Sequence, residues 1–207
     1  MGEVSELEVL SSAAAAFPPR TVRGTVLPSL LFFTDPLRIP DPEAVAEALP
    51  AGAGVVYRAF GAADAVEQGR RLRAIAERRG LLLLVGAHAN LAEGVGAHGL
   101  HMPERLAAEI PRLRAEHARY LITVAAHDLD AVAAAERAGA DAVVASPVFP
   151  SNSPSAGEPL GVDGLKAFVA VTNLPVYALG GVRARTVAQL IGSGIVGIAA
   201  VEGLAAL

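Results

Sequence analysis

Eight short apolar segments recur along the chain, and they restrict its fold more than any other feature of the sequence. They span residues 30–34, 54–58, 81–86, 99–101, 120–124, 142–146, 176–180 and 197–201. Each segment except the last is followed by helical spacing or by capping signals, such as Asp41-Pro42 or Asp128 at a helix start. Strands that alternate with helices form a parallel sheet with right-handed crossovers. The sequence therefore predicts an α/β fold.

We predict that the eight strands close into a single-domain (β/α)8 TIM barrel, for which 207 residues is near the short end. An open, doubly wound sheet is the alternative, although no strand is followed by the GxGxxG pattern of dinucleotide-binding sheets. Residues 1–27 are predicted to form an N-terminal arm that could be helical, and residues 28–207 the barrel. Because six residues follow Val201, we expect a short or truncated final helix, with a flank that the arm or a partner subunit would cover.

The composition restricts the class of partner. Hydrophobic residues make up 53% of the chain and aromatic residues only 4%, so we expect a core of Val, Leu, Ile and Ala. The net charge of −4 argues against non-specific nucleic-acid binding. The lack of cysteine excludes disulfides and thiolate metal sites. The acidic N-terminus does not fit a secretory signal, and no apolar run reaches the roughly 18 residues of a membrane helix. We expect a cytoplasmic protein with no membrane partner.

The loops that follow the strands carry the active site in a barrel of this type. Gly180-Gly181 follows the seventh strand, where backbone N–H groups at a helix start could bind a phosphate; a tight turn explains the pair equally well. Gly197 on the eighth strand would complete the usual phosphate position. The segment 146–161 is rich in Pro, Ser and Gly, and it is either a binding loop or a surface excursion. Its serines could donate to phosphate oxygens.

Arginine and histidine side chains are the other candidates for chemistry. Arg58 ends the second strand, where its guanidinium could hold a phosphate or carboxylate, or form a surface salt bridge. His127 follows the fifth strand and could move a proton near neutral pH, or shape the loop through hydrogen bonds. For His101 a structural role is favoured, and His88 could have either role. The histidines lack the short spacing of a zinc site, so no metal site is predicted.

Taken together, LLFFTD, VVYRAF, NLAEGVGAHGLHM, VAAHD, ASPVFPSNSPSAGEPLG, ALGGV and GIVGIAAV resemble the thiamine phosphate synthase/TenI family over residues 30–204. The resemblance implies a (β/α)8 barrel, commonly dimeric, that binds thiamine precursors. Synthases of this family join hydroxymethylpyrimidine pyrophosphate to thiazole phosphate and release pyrophosphate with the help of Mg²⁺. TenI-type members include tautomerases that shift a proton on a thiazole precursor without a metal.

The chain departs from the synthase pattern at charged positions. Gly86-Ala87 stands where the family has Asn-Asp, and Leu106 stands where it has a second metal-binding Asp. Two lysines and a serine of the family pattern are replaced as well, by Phe60, Pro154 and Glu202. Mg²⁺ and lysines would stabilise a departing pyrophosphate, so these losses argue against the usual synthase reaction. Glu202 would repel a bound phosphate unless it pairs with Arg183.

The resemblance therefore favours metal-independent proton transfer of the tautomerase type, with His127 as the catalytic acid and base. Mg-dependent thiamine phosphate synthesis and a non-catalytic binding or regulatory role are the alternatives. No cofactor is expected, except Mg²⁺ if synthase activity is retained, and a homodimer is expected. The residues predicted to bind the phosphorylated thiamine precursor are Arg58, Ser146, Ser151, Ser153, Gly161, Gly180, Gly181 and Gly197.

Overall fold

The eight apolar segments form eight parallel strands that close into a barrel, as the sequence predicts. The computed structural model describes residues 4–153 and 157–205. The barrel strands β3 to β10 pair in chain order, and β10 closes the circle on β3. Their bounds are Leu30–Phe33, Gly54–Tyr57, Leu82–Gly86, Gly99–Met102, Leu121–Ala126, Ala142–Ala145, Val176–Ala178 and Gly197–Ala200. The predicted (β/α)8 fold is thereby confirmed, and the doubly wound alternative is excluded.

Seven α-helices are described, and most of them follow a barrel strand. Asp41 and Asp128 cap two of them as predicted, because their carboxylates accept hydrogen bonds from Ala44 N (3.0 Å) and Ala131 N (2.8 Å). Asp64 precedes a helix without forming such a cap. The bounds of α1 to α7 are Glu6–Ala14, Pro42–Ala48, Ala65–Arg79, Ala89–Val95, Ile110–Glu116, Leu129–Ala138 and Gly161–Val171.

Side chains alternate between the two faces of each barrel strand. In β3, Leu31 and Phe33 point into the barrel interior, whereas Leu30 and Phe32 pack against the surrounding helices. All four residues are buried. Both faces of a strand in such a barrel are covered by protein, which explains why each segment is apolar throughout rather than alternating with polar residues.

The predicted arm contains a helix and a hairpin. Helix α1 buries Leu7, Leu10 and Ala14 and packs against the 3₁₀ helix Glu202–Leu204 that follows β10. This contact covers the flank where a full final helix is missing among the described residues. The hairpin strands are β1 (Thr21–Val22) and β2 (Thr25–Val26). Leu27, just after β2, packs against the barrel interior, and the boundary proposed at residue 27 stays a prediction.

One predicted helix is wrong. The segment 183–191 follows the seventh barrel strand, and the alternation of strands and helices in the sequence predicts an α-helix there, but the structure has only the 3₁₀ helix Val187–Leu190. The Thr186 hydroxyl donates to Gly181 O and accepts from Arg183 N, so a side chain satisfies backbone groups that a longer helix would pair. No helix within residues 4–153 and 157–205 is long and apolar enough to cross a membrane.

Candidate functional site

A cavity of about 450 Å³ opens at the carboxyl ends of the barrel strands. The end of every barrel strand, or the loop after it, contributes residues to its wall. This is the end of the barrel where the sequence predicts the site. The predicted residues that line the cavity are Arg58, His127, Ser146, Ser151, Ser153, Gly180 and Gly181.

Two predicted phosphate-binding residues do not line the cavity. Gly197 is the first residue of β10 and therefore lies toward the opposite end of the barrel. A Cβ atom there would lie 2.5 Å from Ser29 O and 2.8 Å from Tyr177 Cε1, so close packing accounts for this glycine. Gly161 begins α7 with a φ of +64°. This left-handed backbone conformation explains why the residue is a glycine. Pro154, in the predicted loop, lies outside the described residues.

The imidazole of His127 is hydrogen-bonded through one ring nitrogen, and its side chain is half exposed. Its Nδ1 lies 2.5 Å from Ser146 O. Because a carbonyl oxygen only accepts hydrogen bonds, Nδ1 carries the hydrogen and Nε2 carries the lone pair of the neutral ring. The His127 backbone N–H donates to Glu104 Oε2 (3.0 Å), which lies 4.0 Å from Nε2. With half of its side chain exposed, His127 can exchange a proton with a ligand through Nε2.

Arg58 is held in a fixed orientation beside the cavity. Its Nε donates to Thr34 O at 2.7 Å, and its guanidinium carbon lies 5.5 Å from the Phe33 ring centre and 5.2 Å from that of Phe60. Burial lowers the pKa of Arg58 to about 10, so the group stays charged at neutral pH. Its buried Nη2 has no hydrogen-bond partner among the described residues and lies 3.7 Å from Asp35 Oδ2. Arg58 therefore places a fixed positive charge beside the cavity.

The paired glycines after β9 approach a neighbouring loop closely. Their φ angles are +94° for Gly180 and +64° for Gly181. A Cβ atom on Gly180 would lie 2.7 Å from Pro147 Cα, and one on Gly181 would lie 2.5 Å from Pro150 O. The N–H groups of both glycines form no hydrogen bond with another described residue. Packing therefore requires glycine at both positions, and two backbone donors remain free at the cavity wall.

His101 lies in the same wall as a neutral group. Its Nδ1 is 2.9 Å from Thr123 Oγ1, and its ring packs edge-on against Phe33 at 4.9 Å between ring centres. Burial and the nearby Arg58 charge lower the pKa of His101 to about 3. His101 therefore offers a hydrogen bond rather than a charge. His88 also lines the cavity.

Comparison with known proteins identifies the family. A family model described as thiamine monophosphate synthase matches residues 30–204. The chain belongs to this family. It is 32% identical over 147 residues to the thiamine-phosphate synthase of Chloroflexus aurantiacus, covering 68% of this chain and 65% of that one. The thiamine-phosphate synthase of Pyrococcus abyssi is 28% identical over 84% of this chain and 86% of its own.

A solved structure also resembles this chain. The thiamine phosphate pyrophosphorylase of Pyrococcus furiosus superposes with a TM-score of 0.74 at 26% identity, covering 85% of this chain and 86% of that chain. The resemblance read from the sequence motifs is confirmed by these matches. The names of these relatives favour the synthase alternative over the tautomerase reading of the sequence.

The residues present do not fit the Mg²⁺ that the synthase family implies. Ala87, which follows Gly86, and Leu106 stand at the two positions where the family resemblance implies metal-binding carboxylates. A Cβ atom on Gly86 would lie 3.1 Å from Arg58 Cγ, so the arginine side chain takes up space beside it. Over the described parts of the chain, no three His, Asp or Glu side chains are grouped to hold a metal ion.

The cavity wall is rich in arginine, and of these arginines the sequence pointed only to Arg58 and Arg183. Five arginines line it: Arg38, Arg58, Arg105, Arg183 and Arg185. Arg38 pairs with Asp35 at 2.8 Å. Arg105 and Arg185 are exposed and pair with no carboxylate of a described residue. Their positions after the fourth and seventh barrel strands could have marked them, since the loops after the strands form the site. The cavity is suited to an anion.

Glu202 pairs with Arg183, the contact that would limit its repulsion of a phosphate bound nearby. Arg183 Nη2 lies 2.5 Å from Glu202 Oε2, and Arg183 Nη1 lies 3.1 Å from Glu6 Oε2 in α1. Two carboxylates thus offset one guanidinium at the edge of the cavity. The positive charge left for a ligand comes mainly from the other arginines.

Proposed function

We propose that the cavity binds a phosphorylated thiazole precursor of thiamine and that His127 shifts a proton on it without a metal. The observation that carries this proposal is the placement of His127 in the cavity wall. Ser146 O fixes the hydrogen on Nδ1, so that Nε2 can act as a base. A proton transfer needs such a group within reach of the ligand and needs no carboxylate-held metal.

The proton would leave one atom of the thiazole precursor for Nε2 and return from Nε2 to another atom of the same molecule. His127 is neutral before the reaction, carries a positive charge between the two transfers, and is neutral again afterwards. Glu104 Oε2, 4.0 Å from Nε2, stabilises that transient charge. Electrostatic groups placed in advance in this way lower the energy of a charged intermediate.

The anionic group of the ligand would bind to cationic and N–H groups of the same cavity. Arg58 Nη2 and the N–H groups of Gly180 and Gly181 lack hydrogen-bond partners within the described regions. Arg105 and Arg185, which pair with no carboxylate among the described residues, add positive charge. Ser146, Ser151 and Ser153 line the cavity as well and remain candidate hydroxyl donors. These groups support binding of a phosphate or carboxylate.

Thiamine phosphate synthesis is the second candidate, and two observations favour it. The relatives named above are thiamine-phosphate synthases. The arginines of the cavity could also balance part of the charge on a departing pyrophosphate, which arginine binds through paired N–H groups. This reaction would then depend on guanidinium groups where other members of the family use a metal and lysines.

One set of incubations distinguishes the candidates. The purified protein is mixed with the thiazole tautomerase substrate in EDTA, and separately with hydroxymethylpyrimidine pyrophosphate plus thiazole phosphate, with and without Mg²⁺. Tautomerisation in EDTA supports our proposal. Thiamine phosphate formation without tautomerisation replaces it with the synthase. If neither reaction occurs and calorimetry detects saturable binding, the chain is a non-catalytic binder.

The oligomeric state and the cellular compartment rest on the family resemblance and the sequence composition. A homodimer and a cytoplasmic location remain predictions. Light scattering after size-exclusion chromatography gives the mass directly, and a value near 42 kDa, twice the 21.1 kDa of one chain, is expected.

A further inference from the structure

Phe60 combines a strained backbone with an exposed aromatic ring. Its φ is +48°, a left-handed conformation that costs energy for a residue with a side chain. The residue lines the cavity and is 64% exposed. The neighbouring loop has the same feature, since Ala87 has a φ of +63° and lines the cavity too. Strained residues that gain no burial are found mainly at functional sites.

The Phe60 ring lies over a fixed guanidinium. The guanidinium carbon of Arg58 is 5.2 Å from the centre of the Phe60 ring and 5.5 Å from that of the buried Phe33. Arg58 Nε is held by Thr34 O. The pKa of about 10 keeps the guanidinium charged, so the cation–π contact persists at neutral pH. Arg58 thus sets the position of the Phe60 ring, and the exposed residue remains accessible to a ligand in the cavity.

We propose that Phe60 stacks against the planar heteroaromatic ring of the ligand and selects ring-bearing phosphates over ringless ones. This inference rests on the proposed function, which places the ligand in this cavity. Offset stacking adds to affinity beyond the area that is buried. The arginines and the Gly180 and Gly181 N–H groups recognise the anionic end, which a ringless phosphate has as well. Phe60 therefore determines the specificity for the ring, whereas those groups determine the affinity for the anion.

Calorimetry with two probes tests the assignment. Thiazole phosphate carries a ring and a phosphate, and glycerol 3-phosphate carries the phosphate alone. Phe60→Ala should raise the Kd of thiazole phosphate about tenfold and leave that of glycerol 3-phosphate within about twofold. Phe60→Tyr, which keeps the ring, should bind both probes as the wild type does. Leu37→Ala is the matched control, because Leu37 is 92% exposed and does not line the cavity.

Phe60→Gly distinguishes recognition of the ligand ring by Phe60 from packing of Phe60 against Arg58. Glycine adopts positive φ freely, so this variant should melt at a higher temperature, by about a few degrees, while thiazole phosphate binding weakens. A lower melting temperature together with equal loss of both probes would show that Phe60 only supports Arg58, and would overturn the inference.

The outcome also separates this inference from the proposed function. If the wild type binds hydroxymethylpyrimidine phosphate but not thiazole phosphate, the proposed substrate is wrong. The role of Phe60 is then tested with the pyrimidine probe, by comparing its Kd for Phe60→Ala with its Kd for the wild type. If neither ring-bearing phosphate binds the wild type more tightly than glycerol 3-phosphate does, Phe60 does not recognise a ring and the inference fails.

Discussion

Glu104 contacts His127 through one carboxylate oxygen at two places. Oε2 accepts a hydrogen bond from the His127 backbone N–H at 3.0 Å and lies 4.0 Å from the imidazole Nε2. The first contact fixes the backbone of the loop after β7. The second places a negative charge next to Nε2, the ring nitrogen that we propose takes up and returns the proton. The two residues come from loops after neighbouring barrel strands, β6 and β7.

Neutralising Glu104 should slow proton transfer more than it weakens binding. Glu104→Gln keeps an oxygen that can accept from the His127 N–H and removes the charge that stabilises the imidazolium. We expect kcat of the tautomerase reaction to fall by about tenfold with KM little changed, which is less than the roughly 100-fold or greater loss expected when the acid–base group itself is removed. Glu109→Gln is the control, since Glu109 pairs with Arg112 on the surface. If Glu104→Gln lowers kcat equally in a His127→Ala background, the coupling of the two residues is refuted.

Glu202 should weaken the binding of phosphate. Its carboxylate lines the cavity and pairs with Arg183. Glu202→Gln removes a negative charge, so inorganic pyrophosphate should bind about fivefold more tightly at low salt, with the gain falling as salt rises. Glu47→Gln removes a charge on the outer surface, where Glu47 pairs with Arg78, and should change nothing. Unchanged or weaker pyrophosphate binding by Glu202→Gln would mean that the ligand anion lies elsewhere.

His101 should make the fold sensitive to mild acid. The unfolded chain takes up a proton near the ordinary His pKa of 6.5, whereas burial keeps His101 neutral until about pH 3. Unfolding therefore binds a proton in this window, and stability is lost as pH falls below 6.5. Between pH 6.5 and 5 this group should cost the wild type about 2 kcal/mol.

His101→Gln can still form a hydrogen bond with Thr123. Between pH 6.5 and 5, its free energy of unfolding, measured by urea denaturation, should fall by about 2 kcal/mol less than that of the wild type. His117→Gln, which replaces a histidine stacked on Tyr120 outside the barrel interior, controls for the loss of a histidine. Equal acid sensitivity of His101→Gln and the wild type would mean that His101 is not held neutral.

Gly181 should tolerate no side chain. Alanine there would have a positive φ and a Cβ atom 2.5 Å from Pro150 O and 2.7 Å from Phe149 Cβ. We expect Gly181→Ala to cost about 3 kcal/mol of unfolding free energy, from strain and overpacking together. Gly139→Ala, at φ +81° with open space around it, should cost about 1 kcal/mol. Similar costs for the two variants in denaturant melts would contradict the close approach of the 147–150 loop.

The strands were predictable because protein covers both faces of each barrel strand. Each observed strand begins and ends within two residues of its predicted segment, since strands buried on both faces are apolar throughout. The absence of an α-helix at 183–191 was not predictable from spacing. There Thr186 bonds to Gly181 O and to Arg183 N, and such side-chain bonds compete with helix formation without leaving a periodic signal.

The site was predictable only as far as loop position determines it. Arg58, His127 and Gly180-Gly181 follow strands directly and line the cavity. Gly197 follows no strand, and its contacts with Ser29 and Tyr177 depend on residues far away in the sequence. Arg105 and Arg185 were missed because nothing in the local sequence shows which way a long side chain points.

The central claim is that His127 moves a proton between atoms of a bound thiazole precursor without a metal. Its most direct test is the tautomerase reaction run in D₂O with EDTA, followed by mass spectrometry of the product. Because His127 is half exposed, it exchanges its proton with solvent, so the wild type should incorporate deuterium. His127→Ala should reduce the rate at least about 100-fold. An unchanged rate of deuterium incorporation in His127→Ala would contradict the claim.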